Sequence, residues 1–177
     1  STAAANDITP EITGGKLNGL IDLRDGVLPN LQSELDLLTK TLLNEINSQH
    51  NTGTAFPPPT TLTGTHSFAA TDVFTATGTI RISTINRTTG NVVANYNSPG
   101  LNTIASVGAL LTSINGSLGA GTATLNASGK LVLTSGSATN GIAVNVNNSA
   151  VTAVGSETRN FGHFFGVNDF IQGVTDN

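Results

Sequence analysis

The residues able to do acid–base or metal chemistry are few in this chain and lie far apart. The three histidines, His50, His66 and His163, are more than fifteen positions from one another. None has a second histidine or a carboxylate at the i, i+4 spacing of a metal-binding helix. The absence of cysteine excludes thiolate nucleophiles, disulfides and cysteine-ligated metals. We therefore expect no metal and no cofactor.

The carboxylates and glycine-rich runs also lack a catalytic pattern. Asp36 and Lys40 form an i, i+4 ion pair on a predicted helix, which is typical of a solvated face. The run GSLGAG, residues 116–121, follows a predicted helix, whereas a dinucleotide fingerprint follows a strand. Lys130 is followed by leucine and lacks the Ser or Thr of a phosphate-binding loop. The chain is not expected to be an enzyme.

Charge and hydropathy exclude two further classes of partner. The net charge is -4, and the seven basic residues form no patch that would neutralise phosphates, so we expect no nucleic-acid partner. The longest apolar run is far short of the roughly 20 residues that span a bilayer, so we expect no membrane partner.

Composition divides the chain into two modules. Ten of the eighteen charged residues lie in the first 50 positions, and the change in composition coincides with three consecutive prolines, Pro57 to Pro59. Proline runs forbid helix and favour an extended connector. The sequence predicts a helical module at 1–55, joined by a return segment at 160–177, and a β-rich module at 66–159.

The helical module carries a stripe of apolar residues with alternating three- and four-residue spacing, which predicts a long helix with a coiled-coil-like seam. Pro29, just after Asp25-Gly26, either lies in the first turn of this helix or kinks a longer continuous one. The predicted helix-packing interface, called the leucine stripe below, consists of Leu28, Leu31, Leu35, Leu38, Leu42 and Ile46.

Two arrangements would cover the leucine stripe. It packs either on the short helix around Leu17 and Leu20 and on the β module, or on helices from other segments or neighbouring subunits. We favour the second arrangement, because Leu37 and Leu43 add apolar residues away from the seam and one short helix cannot cover two faces.

The residue pattern of the β-rich module predicts two hairpins, a helix and a further strand. The first hairpin turns at Thr88-Thr89-Gly90-Asn91 and the second at Ser128-Gly129, where glycine suits the turn. Between them, residues 104–114 have helical spacing behind a capping Asn102 or Thr103. The order β-β-α-β-β-β predicts an α+β fold with one helix covering a sheet.

The end of the chain, RNFGHFFGVNDFIQG, concentrates four of the seven phenylalanines. We expect this cluster to return onto the helical module and so join the two ends of the chain. The other interpretation is that it contributes only to the core of the β module.

The helical module resembles a known family. Residues 14–53, GGKLNGLIDLRDGVLPNLQSELDLLTKTLLNEINSQHNTG, are similar to the middle of the first flagellar hook-associated protein, the hook-filament junction protein. That family carries a GG-x-L-x-G-L-x-x-x-RD segment, a leucine-rich helix and an N-x-QH-x-x-G ending. The matching positions are Gly14, Gly15, Leu17, Gly19, Leu20, Arg24, Asp25, Asn47, Gln49, His50 and Gly53.

Two later segments resemble the same group of proteins more loosely. Residues 103–137 look like the IN repeat of flagellin-type proteins, with Ile114-Asn115 as the namesake pair, and FGHFFGVNDF looks like the family's return toward its helical domain. The terminal helices through which the family polymerises have no counterpart here, so the resemblance indicates a central fragment.

The resemblance implies a structural subunit of the bacterial flagellum that forms the junction between hook and filament. It implies an extracellular location after secretion through the flagellar export apparatus. The implied partners are further copies of the full-length protein, the flagellar hook protein, and other hook-associated proteins or flagellin. Two alternatives from the composition are a phage tail or baseplate subunit and a secreted adhesin-like surface protein.

Overall fold

The computed structural model describes residues 12–153 and 157–172, and the fold is α+β, as the sequence predicts. In these ranges the helices are α1 (Gly15–Asp22), α2 (Leu28–His50), α3 (Val107–Leu118) and α4 (Phe161–Phe165). A π-helical turn, Leu23–Val27, connects α1 to α2, and a 3-10 turn, Leu101–Thr103, precedes α3.

The chain divides into two compact units, one up to Leu43 and one from Asn44 onward. The first unit consists, in its described part, of α1, the π-helical turn and α2 up to Leu43. The division lies within α2, whereas the composition break that suggested the module boundary lies near residue 55. The last turns of α2 belong to the second unit because their side chains bond to residues near its C-terminal end.

Helical structure continues through the π-helical turn, so Pro29 does not start a separate helix. Proline has no N–H, and its ring clashes with the carbonyl four residues back, here that of Asp25. A wider i→i+5 turn at Leu23–Val27 relieves that conflict without ending the helix. The continuous alternative of the sequence analysis is therefore the one that is found.

The second unit contains eight strands in its described residues. They are β1 (Thr61–Ser67), β2 (Phe74–Thr77), β3 (Arg81–Asn86), β4 (Val92–Asn97), β5 (Ala123–Leu125), β6 (Lys130–Thr134), β7 (Asn140–Asn145) and β8 (Ala150–Ala153). Both predicted hairpins, β3-β4 and β5-β6, and the predicted strand β7 are confirmed. Three strands, β1, β2 and β8, were not predicted, and the first of them begins before residue 66.

The strands form three antiparallel sheets, ordered β1-β6-β5, β2-β8 and β4-β3-β7. The expectation of a single sheet was wrong. The two hairpins do not pair with each other, because each recruits a distant strand: β7 pairs with β3, and β1 pairs with β6.

Helix α3 is the predicted covering helix, and it buries Val107, Leu110 and Ile114. Its N-cap is Ser106, whose side chain accepts a hydrogen bond from the backbone N–H of Ala109 at 3.2 Å. The predicted caps at 102 and 103 were wrong, since those residues belong to the 3-10 turn.

One hydrophobic core joins the sheets, α3 and α4. Phe161, Phe164 and Phe165 of the C-terminal cluster lie within it, whereas Phe170 is exposed. The Phe164 ring stacks on Phe68 with centroids 5.0 Å apart, and Phe161 packs on Phe165 at 4.9 Å. The largest side chains that are fully buried are Tyr96, Phe161, Phe165, Ile80, Ile82, Leu101, Leu110, Ile114, Leu131, Leu133, Ile142 and Val107.

Candidate assembly surfaces

The leucine stripe lies along α2. Successive residues of an α-helix are rotated by about 100°, which places all six stripe residues within an arc of roughly 80°. In the first unit Leu28, Leu31, Leu35, Leu38 and Leu42 are between 51% and 66% exposed. Ile46 belongs to the second unit and is half-buried there. The role of these residues as a packing interface stays a prediction.

The exposed apolar surface of the first unit extends beyond the predicted stripe. Leu17, Leu20 and Leu23 are exposed before the proline, and Leu37 is 65% exposed on another side of α2. A monomeric soluble protein rarely leaves so many large apolar side chains in water. This surface is therefore suited to helix packing.

Arg24 and Asp25 form an ion pair, a bidentate contact in the π-helical turn. The Arg24 Nε lies 2.5 Å from Asp25 Oδ1, and the second guanidinium nitrogen lies 2.7 Å from Oδ2. This hydrogen bond lowers the pKa of the Asp25 carboxyl, which is exposed to solvent. The pair accounts locally for the RD element of the family-like segment.

Four side-chain amides and one carboxylate tie the last turns of α2 to the end of the second unit. We call Asn47, Asn51, Asn160, Asn168 and Asp169 the amide clasp. The side chain of Asn47 makes a reciprocal pair with the backbone of Ile171: its Nδ2 donates to the carbonyl at 2.8 Å, and its Oδ1 accepts from the N–H at 2.9 Å.

Asn51 is the most buried member of the amide clasp, at 2% exposure. Its Nδ2 donates to the Asn47 carbonyl at 2.9 Å and to Asp169 Oδ1 at 2.6 Å, and its Oδ1 accepts from the Asn168 N–H at 2.9 Å. The other oxygen of Asp169 accepts from the Thr65 hydroxyl in β1. A helix end, the C-terminal segment and a sheet therefore meet at one amide.

Asn168 and Asn160 complete the clasp from the other side. Asn168 Nδ2 donates to the carbonyls of His50 and Gly53, at 3.2 and 2.8 Å. Asn160 caps α4 and donates from Nδ2 to the Ser48 carbonyl at 3.1 Å. These bonds cross more than a hundred residues of sequence, so the C-terminal segment both enters the β core and contacts the end of α2.

The clasp explains the ending of the family-like segment in structural terms. Asn47 pairs with Ile171, the His50 Nδ1–H donates to the Asn168 carbonyl at 2.6 Å, and the Gly53 carbonyl accepts from Asn168. Sequence reasoning missed Asn51, Asn168 and Asp169. The one available signal was the i, i+4 spacing of Asn47 and Asn51, which puts two amides on one helix face.

The histidines have structural roles where the chain is described. His66 Nδ1 donates to the Phe164 carbonyl at 2.9 Å. His163 in α4 is 4% exposed, and its burial, aided by the positive charge of Arg159, lowers the pKa of its imidazole. In residues 12–153 and 157–172 no group of three His, Asp or Glu side chains could hold a metal ion.

The Ile114-Asn115 pair, noted for its likeness to the IN repeat, connects α3 to β5. Ile114 is fully buried in the core. The Asn115 side chain bonds both backbone groups of Ala123, donating to the carbonyl and accepting from the N–H at 2.8 Å each. The pair therefore anchors one helix to one sheet edge.

An open concavity of about 630 Å³ lies beside the clasp. Its lining is mostly apolar, and His50 is its only titratable residue, so it holds no arrangement suited to acid–base chemistry. The residues around it are Ile46, Gln49, His50, Thr52, Gly53, Thr54, Ala55 and Asn168.

Comparison with known proteins gives a family match in the first part of the chain. Residues 1–65 match the family model described as the helical domain of the flagellar hook-associated protein FlgK. No curated protein and no solved structure matches the chain. The matched residues include the whole leucine stripe, and the match supports a FlgK-like flagellar hook-associated protein with a structural role. Within the described ranges, no helix is long and apolar enough to cross a membrane.

Proposed function

We propose that the chain is a structural subunit of the bacterial flagellum that forms the junction between hook and filament. The observation that carries this proposal is that a row of exposed leucines, a packing surface without chemistry, lies inside the residues that match the FlgK helical domain. A subunit at this junction is extracellular and reaches its place through the flagellar export apparatus.

In this proposal the leucine stripe is the helix-packing interface. Burying one leucine is worth about 1.5–3 kcal/mol, so covering Leu28, Leu31, Leu35, Leu38 and Leu42 would contribute strongly to assembly. The partner helices come from other polypeptide segments, because the first unit leaves these side chains exposed. Their three- and four-residue spacing suits a coiled-coil-like partner of matching period.

The proposed partners are further copies of the same protein, the hook protein, and other hook-associated proteins or flagellin. The low charge density of the second unit and its many hydroxyl and amide side chains suit a solvated outer surface. No cofactor takes part in this function.

Electron microscopy of cells lacking the gene tests the proposal. We expect hooks to be present on the cells and filaments to be detached and recovered from the medium. Normal attached filaments in the deletion strain would rule out a junction role.

Complementation links the phenotype to the stripe. The full-length gene should restore attached filaments, and the same gene carrying Leu38→Glu should not. Thr41→Glu places the same charge on an exposed position on another side of α2 and is the matched control. Equal rescue by the stripe variant and the control would show that the leucine stripe does not take part in assembly.

A further inference from the structure

β4 is an outer strand of the sheet β4-β3-β7, and its outer side is exposed. The Ser98 N–H donates to the Ile80 carbonyl at 3.0 Å, so alternation along the antiparallel ladder turns the backbone groups of Tyr96 toward β3. The backbone N–H and C=O groups of Asn95 and Asn97 therefore point away from the sheet. No hydrogen bond from the described part of the chain reaches them.

The opposite edge of the same sheet, formed by β7, is covered by hydrogen bonds from another part of the chain. On β7 the Ile142 N–H donates to the Pro59 carbonyl at 2.8 Å. The Val144 N–H donates to the Thr54 hydroxyl at 3.0 Å, and that hydroxyl donates back to the Val144 carbonyl. The connector around the prolines therefore covers this edge.

The edges of the other two sheets also receive bonds from elsewhere in the chain. β5 is held by the Asn115 side chain, as described above. The remaining contacts are Thr65 to Gly166 on β1, Val151 to Arg159 on β8, and the bridge of Val73 to Ser106 immediately before β2. Open edges are a liability that proteins usually cover or guard with charge, so the uncovered backbone groups of Asn95 and Asn97 call for an explanation.

We propose that the open edge of β4 pairs with β4 of a second copy of the chain, antiparallel about a two-fold axis at Tyr96. In this register Asn95 of each copy lies opposite Asn97 of the other. The two residue pairs form four main-chain hydrogen bonds. A two-fold interface requires such a self-complementary surface.

Charge favours a second copy as the partner. Residues 91–98 carry no charged side chain, although the chain has a net charge of -4. Two copies can therefore approach along this edge without like-charge repulsion at the contact, and an acidic or basic partner would find no complement there. The exposed side chains of Val92 and Val93 add apolar surface beside the edge.

The structure also limits the pairing to a closed dimer. The ladder between β3 and β4 shifts register between Thr84 and Ile85, leaving Val93 as an extra residue, and Pro99 lacks an N–H on the other side. These features end the ladder after Asn95 and Asn97. Because the β7 edge is covered, a six-stranded sheet formed in this way has no second open edge through which to grow.

Register-specific disulfide formation tests the proposal, since the chain has no cysteine of its own. A hydrogen-bonded antiparallel pair has Cα atoms about 5.5 Å apart, within the roughly 4.4–6.8 Å that a disulfide spans. Chains carrying Asn95→Cys and chains carrying Asn97→Cys are mixed in equal amounts and treated with oxidised glutathione, which is reduced as the protein disulfide forms. We expect the mixed disulfide to exceed each homodimer by far more than the twofold ratio of random collision.

The control mixture pairs Thr75→Cys with Thr77→Cys, two exposed positions at the same spacing on β2. A random product ratio, dominant 95–95 or 97–97 products, or a yield no higher than the control would overturn the proposal. The proposal does not rest on the flagellar function. The mixed disulfide should persist when both chains also carry Leu35→Glu, and its loss there would mean that the leucine stripe alone brings the copies together.

Discussion

At the scale of single residues, the amide clasp shows how neutral side chains can replace ion pairs in a chain with little charge. Each amide of Asn47 and Asn51 offers both a donor and an acceptor, and the structure uses both. The bonds of Asn47 to the Ile171 backbone involve no ionisable group, so pH and salt affect them less than they affect surface ion pairs. The cost appears only when one partner is removed and a buried group is left unsatisfied.

Replacing Asn51 by alanine should lower the free energy of unfolding by about 2–3 kcal/mol, because the Asn168 N–H and the Asp169 carboxylate lose a buried partner. Urea unfolding followed by circular dichroism measures the loss. Thr52→Ala is the control, since the Thr52 side chain is exposed and bonds only the nearby Gln49 carbonyl. A cost for Asn51→Ala no larger than that of the control would mean that the clasp does not stabilise the fold.

The buried imidazole of His163 should make the free energy of unfolding depend on pH. Burial lowers the pKa of its imidazole below the ordinary value, with Arg159 and His66 acting in the same direction and Asp169 and Glu45 opposing them. Between the lowered folded pKa and the usual value near 6.5, the unfolded chain binds more protons than the folded chain. Stability should therefore be full above about pH 6.5 and fall as the pH drops through the folded pKa.

Urea unfolding at several pH values between about 7 and 5 measures this effect, since most carboxylates remain ionised in that range. The His163→Gln variant should have a flatter profile than the original chain. Equal slopes for the original chain and His163→Gln would assign the pH dependence to other groups.

At the scale of elements, local patterns predicted local structure well. The β3-β4 hairpin follows from alternation on both sides of a turn with Gly90, and Gly90 does adopt a positive φ of 74°. Helix α3 follows from the spacing of Val107, Leu110 and Ile114. These features depend on neighbours in sequence, which is why one chain was enough to predict them.

Long-range pairing could not be predicted in the same way. β1 has the sequence TLTGTHS, in which small and polar residues hide the alternation, and it is fixed by β6 and by the Gly166 carbonyl. The clasp joins Asn51 to Asp169 across 118 positions, and nothing at either end specifies the other. Residue types indicated that these amides could bond, but only the fold selects their partners.

The leucine stripe is a prediction at this scale that solution measurements can test. If the stripe is a packing interface, the chain should associate weakly through it, and Leu35→Glu or Leu38→Glu should abolish that association with little loss of stability, because both side chains are exposed. Analytical ultracentrifugation over a concentration series is the measurement, with Thr41→Glu as the control. A monomeric chain whose fold collapses on Leu35→Glu would identify the stripe as internal core.

At the scale of the whole molecule, two kinds of surface coexist in one chain. The first unit presents leucines in its described residues, and the second presents hydroxyl and amide side chains around a closed core. This separation suits a structural subunit, in which one part supplies attachment and another faces the solvent. It also means that damage to one core need not reach the other unit.

Ile82→Asp tests whether the two units unfold separately. Ile82 is fully buried at the centre of β3, and an unpaired charge there should destabilise the second unit by more than its free energy of unfolding. Tyr96 is the only tyrosine and the chain has no tryptophan, so tyrosine fluorescence reports on the second unit alone. Burial and the 2.9 Å bond to the Ser113 hydroxyl should make that signal sensitive to unfolding. We expect the variant to lose the native tyrosine signal and the helicity of α3 and α4, while far-ultraviolet circular dichroism still shows the helix of the first unit.

Arg81→Asp, an exposed change on the same strand, is the control and should leave both signals in place. If Ile82→Asp removed all helicity together with the tyrosine signal, the helix of the first unit would depend on the folded second unit, and the two units would unfold as one.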